Sequence, residues 1–130
     1  MKPPEGTELF ETPISTHWFD KNGIMYAVSK PVERTVEHYK KVIELYKRFA
    51  KNGKKLLLVS YTNKVMPMSD DVRNYITNEA PKYLKAQAII ISDELQSSTM
   101  QTFLSYTLKG ADVAHFTNKK DAMEWLKAFK

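Results

Sequence analysis

Along the first part of the chain the apolar and polar positions alternate with the period of a strand. Across residues 9–19, Ile14, Thr16 and Trp18 interleave with Ser15, His17 and Phe19, the pattern of a strand with two differently solvated faces. Asp20-Lys21-Asn22-Gly23 follows, and Asn-Gly accepts positive φ at both positions, so a tight hairpin is expected. Residues 24–29 read as the returning antiparallel strand. Between residues 35 and 52 the period lengthens. Val36, Tyr39, Val42, Ile43, Tyr46, Phe49 and Ala50 recur at three- and four-residue steps with Lys40, Lys41, Lys47, Arg48 and Lys51 between them, which predicts an amphipathic helix stopped at Gly53.

Residues 55–61 carry Leu56-Leu57-Leu58-Val59, apolar at successive positions, as a central strand covered on both faces would be. Residues 62–68 read as a loop. Ser69-Asp70-Asp71 then opens a second helix through Val72, Tyr75 and Ile76, which Pro81 breaks at Ala80 before a short turn holding Tyr83 and Leu84. A further buried strand is expected over residues 86–92, and Asp93 caps a third helix to Lys109 with Met100, Phe103, Leu104 and Thr107 inward. A last strand over residues 113–117 precedes a helix capped by Asn118, with Ala122, Trp125, Leu126 and Phe129 on one face.

Strands alternating with helices imply parallel pairing with right-handed crossovers. The expected fold is α/β: a mixed, mostly parallel five-stranded sheet with an N-terminal antiparallel hairpin and four helices. If every crossover placed its helix on one face, a helix, the N-terminal arm or a second subunit would have to cover the other. The 130 residues suit a single domain, with residues 1–8 a flexible arm.

Composition narrows the chemistry. With no cysteine, a disulfide framework, a thiolate metal site and a cysteine nucleophile are excluded, and a reducing cytoplasmic setting is expected. No apolar run approaches the roughly 20 residues of a membrane span, and the N-terminus lacks the apolar stretch of a secretory signal. The net charge of +5 is unevenly placed: residues 30–55 hold nine Lys and Arg against Glu33, Glu37 and Glu44. The aromatics of this helix share its core face instead of interleaving with the lysines, so the basic face reads as solvated and no nucleic acid is expected, while contact with an acidic protein or a membrane surface stays open.

Phosphate-cradling motifs of the G-x-x-x-x-G-K-[ST] and G-x-G-x-x-G types are absent. His17, His38 and His115 have no carboxylate at a metal-ligand spacing, and no activating elbow marks a serine. Neither a catalytic residue nor a metal or cofactor is expected. The most informative local feature is Met66-Pro67-Met68-Ser69-Asp70-Asp71-Val72-Arg73. Ser69 can cap the second helix, and Asp70 and Asp71 complement its dipole. The same segment, leaving the carboxyl end of a central strand, could present Met66, Met68, Ser69, Asp70, Asp71 and Arg73 to a partner. Phosphate on Ser69 would gain from the helix start and Arg73 and be repelled by Asp70 and Asp71.

Trp18-Phe19-Asp20-Lys21-Asn22-Gly23-Ile24, the helix start Met68-Ser69-Asp70-Asp71-Val72-Arg73, and His115-Phe116-Thr117 followed by Ala122-Met123-Glu124-Trp125-Leu126 stand in an order of elements that resembles small bacterial proteins of the SpoIIAA-like, or STAS (sulfate transporter and anti-sigma factor antagonist), superfamily. The resemblance implies strands in nearly sequential order and a non-catalytic regulator. Its partner would be another regulatory protein (a kinase, an anti-sigma-like or a sensory factor), with pairing of two subunits open. In the anti-sigma factor antagonists a serine at the start of the second helix is phosphorylated, and Ser69 falls near that position. Their Asp-Ser-Ser-Gly-like signature is replaced here by Pro67-Met68-Ser69-Asp70, which favours a stand-alone branch. The related Sec14-like fold gives the alternative, a small lipid or apolar ligand held near Tyr75, Tyr83, Phe103 and Tyr106.

Overall fold

A computed structural model of the chain describes residues 2–62, 68–91 and 111–130. Among these residues six strands form one sheet in sequential order. β1 (Phe10–Glu11), β2 (Ser15–Phe19) and β3 (Met25–Ser29) pair antiparallel, and β4 (Leu56–Thr62), β5 (Leu84–Ile91) and β6 (Asp112–Phe116) follow β3 in parallel. The described helices are α1 (Val36–Phe49), α2 (Asp70–Glu79) and α3 (Lys119–Lys127), with a 3₁₀ turn at Ala80–Lys82.

The expected five strands are therefore six, and the described α-helices are three where four were expected. The extra strand comes from residues 9–19, which form two strands, not one. Pro13 has no N–H for a ladder, and Thr12 and Ser15 turn the chain there, the Thr12 amide donating to the Ser15 carbonyl at 2.8 Å. The expected helix over residues 93–109 lies outside the described residues. Pro81 stops α2 as expected, but Leu84, read as part of a turn, begins β5.

The central strand shows why both faces are apolar. Leu56 and Leu58 join Met25, Ala27, Val42, Ile43, Val72, Ile76 and Leu84 beneath α1 and α2, whereas Val59 joins Trp18, Ile24, Tyr26, Ala86, Ala88 and Ile90 beneath Ala122 and Leu126 of α3. Each such aliphatic side chain removed from water contributes about 1.5–3 kcal/mol. α3 thus covers the face that single-sided crossovers would have left bare. On that face Trp18 stacks on Tyr26 with centroids 5.5 Å apart, and the Lys119 ammonium sits 5.1 Å from the Tyr26 ring centroid.

α1 ends through a left-handed turn, Asn52 (φ 57°) and Gly53 (φ 75°), where a β-branched side chain would be strained. Among the described residues no helix is long and apolar enough to cross a membrane.

Candidate functional site

β3 and β4 are adjacent and parallel, with Met25 opposite Leu58, so the helices that follow them begin side by side at the carboxyl end of the sheet. Such strand ends are where open α/β sheets gather their polar groups. Thr35 caps α1, its hydroxyl accepting from the His38 amide at 3.1 Å. Ser69 caps α2 in the same way, accepting from Val72 at 3.3 Å. Both caps line one open cleft of about 650 Å³. Val36, Met68 and Val72 supply its apolar part, and Glu33, Arg34 and Asp71 its charges.

Arg34 is fixed from below. Its guanidinium donates to the Lys30 carbonyl at 3.0 Å and to the Ile14 carbonyl at 3.4 Å, tying the loop after β3 to the start of β2. Burial raises the pKa of Tyr39, an effect that Arg34 partly offsets, and the Tyr39 hydroxyl lies 4.0 Å from the Met68 sulfur. Ser69, Asp70, Asp71 and Arg73 are exposed. Arg73 and Asp70 approach only to 3.7 Å with the carboxylate 93% exposed, so this pair leaves both charges open to a partner. The cleft offers hydrogen-bonding groups, charges of both signs and an apolar floor, which together suit recognition of a polypeptide surface.

The structure brings Met68, Ser69 and Asp71 to the cleft and places Asp70 and Arg73 on the adjoining first turn of α2. Met66 lies outside the described residues, as do Phe103 and Tyr106. Tyr75 and Tyr83 are half-buried against the core beneath α1 and α2 and do not line the cleft. The sequence pattern places Val36 on the core face of the first helix and Glu33 and Arg34 among the charges of residues 30–55, but assigns none of them to a site. Thr35 was visible as a helix start, but its meeting with Ser69 depends on strand order, which no local pattern records.

A second polar group lies in the interior. His17 is 1% exposed; its Nε2 is 2.7 Å from Ser15 Oγ, which is 2.7 Å from Thr12 Oγ1. The ring stands edge-on to Tyr46, and Nδ1 has no hydrogen-bond partner. Burial lowers the His17 pKa to about 4, so the imidazole is neutral at pH 7. Among the described residues no group of three or more His, Asp or Glu is placed to hold a metal ion.

The family profile described as Domain of unknown function (DUF7793) matches residues 17–130. The chain belongs to the DUF7793 family. Within this DUF7793 chain the matched region begins inside β2, at His17, and runs through α3, while β1 precedes it. Among solved structures the chain is similar to an uncharacterized protein of the DUF3478 family with a SpoIIAA-like fold from Shewanella loihica PV-4. The TM-score is 0.57 and the identity 16%, over 97% of this chain and 98% of that one. That likeness establishes the fold as SpoIIAA-like. A search of curated proteins returned no match.

Proposed function

We propose that this DUF7793 protein is a non-catalytic regulatory module that binds another protein through the cleft between the starts of α1 and α2. The observation that carries the reading is the convergence of two helix caps, Thr35 and Ser69, on one open cleft with the charges of Glu33, Arg34 and Asp71 around it. The exposed Ser69 hydroxyl is the group at which phosphorylation would switch docking, in keeping with the resemblance to anti-sigma factor antagonists. A phosphate there would meet the positive end of α2 and Arg73, but also Asp70 and Asp71, so it would change the charge of the docking surface more than the stability of the helix.

The test is capture of a partner from the native cytoplasm, followed by titration of the purified pair. Asp71→Arg and Arg73→Glu should each weaken binding at least tenfold, while Asp121→Lys at the start of α3 should leave it unchanged. Binding that withstands both cleft-side changes would overturn the proposal. Bound apolar mass in native mass spectrometry, with no protein partner, would favour the lipid-carrying alternative instead.

A further inference from the structure

At the opposite end of the sheet, the chain concentrates cations. α1 runs back from the cleft to the amino end of β4, where Lys47, Arg48, Lys51, Lys54 and Lys55 are all exposed. The Lys54 amide donates to the Lys51 carbonyl at 3.0 Å, so these two cations share one tight turn. The register of β4 with β5 places Lys85 beside Leu56 and Leu57, adding a sixth exposed cation. Among the described residues none of the six forms an ion pair. The acids of this end are few or engaged elsewhere. Among the described residues, Glu79 pairs with Lys82 at 3.0 Å, which leaves Glu44, Asp112, Glu8 beside Leu9, and Asp20, whose carboxylate accepts from the Asn22 and Ile24 amides, against the six cations.

We infer that this cationic end docks on an anionic lipid surface. Five of the six cations are lysines, compact point charges that suit a diffuse anionic plane better than the bidentate pairing a carboxylate partner would select through arginines. An apolar group adjoins them. The Arg48 guanidinium lies 5.5 Å from the Phe10 ring centroid and 5.1 Å from that of Phe49, and Leu9, next to Phe10 in the chain, is 46% exposed. A cation lying on a half-buried aromatic cluster, with an exposed leucine next in the chain, fits an interfacial contact. A nucleic acid is disfavoured because Phe10, Phe19 and Phe49 pack edge-to-face at 4.8–6.2 Å and Arg48 covers two of them, so their faces are not free to stack on bases.

The test is co-sedimentation of the full chain with vesicles of phosphatidylcholine, with and without phosphatidylglycerol. Binding is expected to the anionic vesicles at about 0.1 M salt and to be lost at about 0.5 M. Each cation removed should weaken it about fivefold. The triple variant Lys51→Glu, Lys54→Glu, Lys55→Glu should therefore fall below detection while keeping the wild-type unfolding midpoint, and Asp71→Arg should bind as the wild type does. Equal binding to neutral vesicles, no binding to either kind, or retention by the triple variant would overturn the inference. So would a single-stranded oligonucleotide or polyglutamate that binds more tightly than the anionic vesicles at the same salt.

Discussion

Two polar constellations on this domain contain much the same residue types and do opposite things. Thr12, Ser15 and His17 are sealed beneath α1, each less than a tenth exposed, with the two hydroxyls and one ring nitrogen bound to one another. Thr35 and Ser69 stand in an open cleft, each accepting a hydrogen bond from one backbone amide, with Glu33 and Asp71 beside them. A sealed polar chain has no water to fall back on, so its members hold the β1–β2 turn in place and are costly to disturb. The hydroxyls of the cleft remain in reach of solvent or a partner. A serine's role in this fold is therefore set by whether helix α1 covers it or begins beside it.

The largest effect expected from this contrast is acid loss of stability through His17. Its folded pKa of about 4 lies below the ordinary 6.5, so the unfolded chain binds a proton that the folded chain does not. Stability is full above pH 6.5 and falls by about 3 kcal/mol as the pH drops to 4. Urea titrations across this range should show the decline, and His17→Gln should flatten it. Glu11 contributes in a separate window. The Thr16 hydroxyl, followed by Lys30, holds its carboxyl below 4.5 despite some opposing desolvation, so its stabilisation is lost only as the pH falls beneath that value.

Next comes one substitution made at both places. Ser15→Ala leaves His17 Nε2 and Thr12 Oγ1 short of a partner and should cost about 2 kcal/mol. Ser69→Ala removes only a solvent-exposed cap and should cost no more than about 1 kcal/mol, while Thr35→Ala at the half-buried cap of α1 should cost about 1 kcal/mol. Equal losses at Ser15 and Ser69 in chemical denaturation would break the distinction. The smallest effect belongs to Arg73→Ala. Its 3.7 Å approach to an exposed carboxylate should leave the unfolding midpoint unchanged, so a lowered partner affinity in that variant can be read without a stability correction.

Much of the fold was legible because its signals are local. The alternation in β2 and β3, the Asn22-Gly23 turn, the three- and four-residue steps of α1, the run from Leu56 to Val59 and the capping side chains Ser69 and Asn118 each act within a few residues of their own position. β1 was missed because two residues before a proline carry too little period to be separated from β2. The placement of α3 on the second face was not legible either. The apolar side of a final helix shows that it is covered, not which side of the sheet it covers. At the site, Ser69, Asp70 and Asp71 announced a helix start by residue type, whereas Arg34 contributes through carbonyls of Ile14 and Lys30, distant or irregular positions with no sequence pattern.

The central claim, that docking occurs where α1 and α2 begin, is tested most directly by amide hydrogen exchange of the chain alone and in complex with its captured partner. The account predicts new protection at residues 33–36 and 69–72, with α3 and β6 unchanged. Protection confined to α3 or the β6 edge, with the cleft exchanging as in the free protein, would contradict it.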